Sequence, residues 1–383
     1  MVATVLGVGM GILFFRTLVG IGPLLALCLF SLLGFACWYY SLFPLRTFAL
    51  ALVFSLLRCL LLPDLSLPVT LLRPFSAARE ALVLITEHLF PKQESSLLCA
   101  MLWGIKGSLS EYLHAVYRGA GIAHVLALSG LHVSFVSVVL NRLAKNASIR
   151  LRLGVNALVL FSYSAVAAFP ASLVRASLMC LCPLLAEALG RKKDQASSIA
   201  FSAVCILVFS PSALYDIGFQ LSFGAVAVID MLGRTLAEHL PLPEQLGKAV
   251  SLSICGMLGT LPLTAHHFGE MALLSIFANL LILPIVPVAF LFSMAACLAG
   301  SVYIRLGEFL APSARLFVSS MHAAAQAVSA FPFALVQVPR PGFITCALLF
   351  GAMLPLSRYC ILPARKKWAY GAALFAAALL PML

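Results

Sequence analysis

The sequence predicts an all-α, polytopic transmembrane helical bundle of about 11–12 spans, with amphipathic surface helices between the early spans and the core. Three observations carry that reading. The chain is 62% hydrophobic and only 10% charged over 383 residues, whereas an ordinary soluble domain is roughly 25% charged. Its apolar residues gather in runs that approach or reach the ~20 residues a helix needs to cross a bilayer. A transmembrane β-barrel would instead show short alternating segments. Its basic residues cluster in loops that all fall on one side once the spans are counted, as the positive-inside rule requires.

Taken in order, residues 2–19, 22–43 and 48–62 make three opening spans, so residues 1–62 form an N-terminal transmembrane region. Arg16 and Arg58 sit near span ends, where they can snorkel. Residues 2–19 have no basic leader segment and read as a span, not a cleaved signal. Residues 63–121 differ. Pro63, Pro68, Pro74 and Pro91 punctuate them and charges return. Residues 71–89 and 97–117 are expected to be amphipathic helices on the membrane surface. Residues 122–383 form the core, with spans expected at 153–169, 172–189, 197–209, 217–232, 248–265, 273–298, 343–362 and 368–383. The Ala-rich stretch 310–338 is a further candidate.

The basic clusters are Arg142–Lys145–Arg150–Arg152, Arg191–Lys193 and Arg365–Lys367. They are expected in the cytoplasm, which puts residues 63–121 outside. The net charge of +12 fits that rule and also suits a polyanionic partner. The eleven cysteines lie mostly in apolar runs without CxxC or Cys/His spacing. They read as small apolar packers. No metal or other cofactor is expected.

The core stretch 120–140, AGIAHVLALSGLHVSFVSVVL, is apolar enough to span but carries His124, Ser129, Gly130 and His132. Polar groups at that depth are costly unless they face protein or water. Read as one helix, it places Ser129 and His132 on one face. Gly130, Ser134, Ser137 and Asn141 fall on a second, small-residue face suited to helix packing. The Ser-Gly pair can also mark a break. In PASLVRASLM, Pro170 and Ser172 suit a helix start. Arg175 then lies one turn inside, either snorkelling or facing an aqueous path where it meets an anion such as phosphate. In YDIGFQLSFGAVAVI, Asp216, Gln220, Gly224 and Ala227 share a face, and a buried Gln220 must find a partner. In LPLTAHHFGEMALLSIFANLLILPIVP, adjacent His266 and His267 are a poor metal pair and read as loop polarity. Asn279 lies inside the next span. Pro284 and Pro287 interrupt it, as in broken helices that line cavities or substrate paths.

These four segments, in this order, resemble the membrane core of the ComEC family of DNA-uptake channel proteins. The resemblance runs from about residue 97 onward. It implies passage of one DNA strand across the bacterial inner membrane into the cytoplasm during natural transformation. The implied partners are single-stranded DNA, membrane lipids, a DNA receptor, and a cytoplasmic ATPase or DNA-binding protein. The small β-barrel domain and the metallo-β-lactamase-like domain of larger members look absent, and no HxHxDH motif occurs. Strand degradation would then fall to a separate nuclease. The residues expected along the DNA path are His124, Ser129, Gly130, His132, Arg175, Gln220, Ser222 and Asn279. No Walker A segment is present, and the chain is expected not to be an enzyme. Two other readings use the same features. One is a small-solute or lipid transporter. The other is an intramembrane serine hydrolase built on Ser129, for which His132 on the same helix is a poorly placed base.

Overall fold

In the computed structural model, residues 69–126 and 128–357 are described, with a few single positions between Cys360 and Ala376. The three opening spans and the span at 368–383 lie outside this set or are barely touched by it. Fourteen α-helices are seen among the described residues: α1 (Val69–Leu89), α2 (Lys92–Trp103), α3 (Glu111–Gly119), α4 (Ala123–Leu126), α5 (Gly130–Leu143), α6 (Ile149–Val166), α7 (Ala171–Ala188), α8 (Gln195–Phe209), α9 (Ile217–His239), α10 (Glu244–Phe268), α11 (Ser275–Ile282), α12 (Val286–Val302), α13 (Ile304–Ser329) and α14 (Phe343–Met353). A 3-10 turn, Pro211–Tyr215, precedes α9. The all-α bundle is therefore observed. One feature was not anticipated: short strands β1 (Glu270–Ala272) and β2 (Leu335–Gln337) pair antiparallel, Met271 opposite Val336.

Four helices, α6, α7, α9 and α10, are long and apolar enough to cross a membrane. A fifth span is counted if α11 and α12, bent by 49°, are taken together. The bend falls at Leu283–Ile285, around Pro284, whose ring cannot continue a helix without displacing the preceding turn. Helices α5, α8 and α14 are apolar but shorter. Helix α13, the Ala-rich candidate, starts earlier than expected and falls outside the span-like helices among the described residues. It buries Gly307, Ala311, Ala314, Val318, Met321 and Ala325 along one stripe and turns Arg305, Glu308 and Arg315 outward.

Two expected continuous helices are broken. The 97–117 stretch splits because Gly104, at φ 73°, ends α2 in the left-handed conformation that glycine tolerates. Ser110 then caps α3 by accepting from Leu113 N–H. The 120–140 stretch splits at Ser129, which is extended and begins α5. The sequence placed His266 and His267 in a loop; they occupy the last turn of α10, which ends at Gly269 with φ 68°. Pro170 does precede α7, but the Ser172 hydroxyl does not cap it.

Close crossings of small residues hold the pairs together. At the α9–α10 crossing a Cβ on Gly224 would sit 2.6 Å from the Gly259 carbonyl. At the α12–α13 crossing a Cβ on Gly307 would sit 2.8 Å from Gly300 Cα. In lipid, where apolar faces gain little from leaving the solvent, such backbone approach and dispersion contact provide much of the association. One apolar cluster runs through α1–α7 and α11–α13 around Trp103, Tyr117 and Phe290. A smaller one joins α8, the 3-10 turn and α9 through Ile206, Leu207, Ala213 and Phe219.

The ends of the bundle are distinct. Glu187, at the end of α7, pairs with Arg152 at 3.7 Å and Lys193 at 2.6 Å, which gathers two of the three basic clusters at one end. The third cluster lies outside the described residues. Behind this end, Ser137 donates to Asn156 at 2.9 Å and Asn141 donates to the Ser137 carbonyl at 2.8 Å. The small-residue face of α5 is thus a packing seam: Gly130 meets Ala176, and Ser134 donates to the Gly130 carbonyl. The opposite end carries the turns before α7, before α9 and after α10.

Candidate functional site

At that opposite end the four motif segments meet. The break before α5 frees backbone groups that a continuous helix would have paired. Ser172 of α7 donates to the Leu128 carbonyl at 2.6 Å. The His132 side chain turns back so that Nδ1 accepts Ser129 N–H at 3.1 Å. This is the third-position half of a capping box, with imidazole in the role usually played by glutamate or glutamine. Because Nδ1 accepts, the neutral ring carries its proton on Nε2. That atom is buried and unpartnered. The ring is 0% exposed and stacks on Phe290 of α12, centroids 4.7 Å apart.

Arg175 is 2% exposed, so it does not snorkel. Its guanidinium lies over Phe223 of α9, 5.2 Å from the ring centroid. Nη2 donates to the Ser172 carbonyl at 3.3 Å, and Nη1 is buried without a partner. Asp216 acts on it electrostatically, but one of that carboxylate's oxygens already accepts Phe219 N–H at 2.8 Å to cap α9. A cation taken out of water is costly unless paired. Here it has a π-face, one carbonyl and a shared carboxylate, and still an unused donor.

Gln220, one turn before the Gly224 crossing, donates to the Leu214 carbonyl at 3.0 Å. Its carbonyl accepts from His267 Nε2 at 2.9 Å. His266 donates through Nδ1 to the Pro341 carbonyl at 2.7 Å. The two histidines therefore tie α10 to α9 and to the strand-to-helix connection before α14.

The structure thus joins Ser129, Gly130 and His132 to Arg175 through the α5–α7 contact, and Arg175 to the Gln220 helix through Phe223. His124 is exposed on α4. Ser222 is half-buried on α9. Asn279 stands apart on α11: its Oδ1 is buried and unpartnered, and no hydrogen bond or ring contact links it to the Arg175 group among the described residues. Phe223, Phe290 and His267 escaped the sequence reading as site residues. The Phe positions carried no signal beyond apolarity, and His267 read as a loop residue. Among the described residues no three His, Cys, Asp or Glu side chains gather as a metal site would require.

Compared with known proteins, residues 101–362 match the Competence protein family. The chain is 28% identical over 213 residues to ComE operon protein 3 of Bacillus subtilis, covering 54% of this chain and 26% of that protein. It is 32% identical over 146 residues to Competence protein ComA of Neisseria gonorrhoeae, covering 35% of this chain and 20% of that one. An uncharacterized protein of Aquifex aeolicus is 28% identical over 200 residues, 52% of this chain and 46% of its own length. The chain spans less than half the length of each of these relatives. No solved structure matches it. The broken helix, the Arg175 segment, the Gln220 segment and the bent α11–α12 pair all fall within the matched residues, and this membrane protein belongs to the Competence protein family.

Proposed function

We propose that this protein is the membrane core of a channel that admits single-stranded DNA through the bacterial inner membrane into the cytoplasm, and that it is not itself an enzyme. The observation that carries the reading is Arg175: a buried guanidinium with an unused Nη1 donor, lying on an aromatic ring. A guanidinium suits phosphate because its donors form a planar fork, and aromatic faces suit bases. His132 Nε2–H, on the helix packed against α7, is a second unused donor. Both lie toward the end opposite the basic clusters, the side from which a strand would arrive if those clusters are cytoplasmic. A DNA receptor on the outer side, a cytoplasmic ATPase or DNA-binding protein, and a separate nuclease complete the scheme.

The Ser129–His132 pair is read as a helix cap, not a catalytic dyad. Ser129 Oγ lies 3.3 Å from His132 Nδ1, but that nitrogen also receives the Ser129 N–H at 3.1 Å. The bent α11–α12 pair suits a small-solute or lipid transporter equally well. The deciding experiment is uptake of fluorescent DNA into the cytoplasm of a strain lacking this protein. Loss of uptake, restored by the wild-type chain and not by Arg175→Ala at equal membrane levels, is expected. Undiminished uptake in the deletion strain refutes the channel. Solute flux in proteoliposomes that DNA does not block would favour the transporter.

A further inference from the structure

We propose that a partly open cavity between α2, α3 and α13 docks a single nucleobase of the arriving strand; the inference rests on the channel reading. The cavity has a volume of about 120 Å³. An apolar cavity of roughly 150 Å³ takes up benzene, so this one is ring-sized, too small for a nucleotide with its phosphate. Its floor is apolar, formed by Leu97, Leu113 and Val318, and its polar edge is formed by Gln93, His322 and Gln326.

The hydrogen bonds at that edge leave a specific set of groups free. Gln326 donates to Tyr112 Oη at 2.7 Å, which leaves its own carbonyl to accept. Gln93 donates its amide to His322 Nε2 at 3.4 Å, which leaves the Gln93 carbonyl to accept and puts the imidazole proton on Nδ1. That Nδ1 is buried and unpartnered. Burial lowers the His322 pKa, against a weaker opposite pull from Glu94. The ring is also held by Tyr117, stacked on it at 6.0 Å and 17°, and by the edge of Tyr112. Glu94 is engaged by Arg315 at 3.1 Å, so the wall has neither a free cation for phosphate nor a free carboxylate for an amine. Two carbonyl acceptors and one N–H donor over an apolar floor match a flat heterocycle with both donors and acceptors on its edge. That is the chemistry of a nucleobase, not of a lipid tail or a sugar.

The position fits as well. β2 follows α13 and pairs with β1, which follows His267. The His322 end of α13 therefore lies at the same end of the bundle as the Arg175 group.

The test uses the full chain in lipid nanodiscs and an oligonucleotide with one 5-iodo-deoxyuridine, irradiated and mapped by peptide mass spectrometry. Adducts on α2, α3 or α13 near His322 are expected. An excess of unlabelled oligonucleotide should suppress them, and an abasic one should not. Ala323→Trp, which fills the cavity from its rim, should lower the adduct at least tenfold at unchanged melting temperature. His322→Phe keeps the ring but removes the N–H, and should also lower it if Ala323→Trp does not fold. Adducts elsewhere on the chain with none here overturn the inference and leave the channel standing. Suppression by the abasic strand, or insensitivity to both variants, also overturns it. No adduct anywhere, together with uptake unchanged on deletion, overturns both.

Discussion

Gly259→Ala tests the geometry that brings Gln220 and His267 together. An alanine Cβ at 259 would sit 2.5 Å from the Gly224 carbonyl oxygen, 2.8 Å from Ala225 Cα and 2.9 Å from Gly224 C. All three are backbone atoms, so no side chain can swing aside. Restoring ordinary van der Waals contact requires α9 and α10 to part by roughly 1 Å. Overpacking of this kind costs about 1–3 kcal/mol, offset in part by the better helix propensity of alanine, at most ~1 kcal/mol. The Gln220–His267 bond, 2.9 Å in the native protein, would then stretch beyond the ~3.2 Å at which such bonds are normally found. Gly154→Ala on α6 is the control, because a Cβ there meets nothing within 4 Å. Thermal unfolding in detergent can be followed with a thiol-reactive dye, since Cys255, one turn before Gly259, is fully buried. The melting temperature of Gly259→Ala should fall by a few degrees, on the order of 2–4 °C per kcal/mol, and that of Gly154→Ala should not fall. Gly224→Ala should behave like Gly259→Ala, and the double variant should lose less than the sum, because both wedges open one crossing. Equal melting of Gly259→Ala and Gly154→Ala would refute the reasoning.

Arg175→Lys keeps the charge but loses the planar fork and most of the ring stacking, so DNA uptake should fall about tenfold or more, and further in Arg175→Ala; transformation frequency per unit of membrane protein measures both. His132→Gln can still accept the Ser129 N–H, whereas His132→Leu cannot, so Leu should cost about 1 kcal/mol of stability relative to Gln. Because the glutamine amide also keeps an N–H donor, uptake in His132→Gln should exceed that in His132→Leu at equal membrane levels; equal uptake would show that the unused Nε2–H takes no part in passage. Ala168 and Phe169 both have positive φ, 63° and 51°, in the turn before α7. Ala168→Gly should therefore raise the melting temperature, relieving about 1 kcal/mol of backbone strain; a lowered value would show that the turn is not strained.

The fold was legible where composition decides it. An apolar chain can satisfy its backbone in lipid only through helices or closed barrels, and long runs without alternation exclude the barrel. The bend at Pro284 was equally legible, because a missing N–H acts locally. The break at Gly104 was not, and the one at Ser129 stood only as an alternative to a continuous helix, although their glycine and serine signals were present. Whether such a residue ends a helix or rides inside one depends on what satisfies the freed groups. At this break those partners are His132, three residues beyond Ser129, and Ser172, forty-four residues beyond the Leu128 carbonyl it bonds. Only the first of these is a sequence-local relation.

The site divides in the same way. Polar residues inside apolar runs announced themselves, since each costs free energy unless partnered. The partners did not. Arg175 rests on Phe223 and His132 on Phe290, aromatic residues indistinguishable in sequence from those that face lipid. Gln220 found its partner in His267 because the Gly224–Gly259 crossing draws two helices into backbone contact. The crossing itself is written in small residues. Which histidine it delivers, however, depends on where α10 ends, and that is set by Gly269 two residues beyond His267. A turn ended earlier would have left both histidines in a loop, and Gln220 would have lost its partner. The helix boundary therefore determines whether His267 can belong to the site.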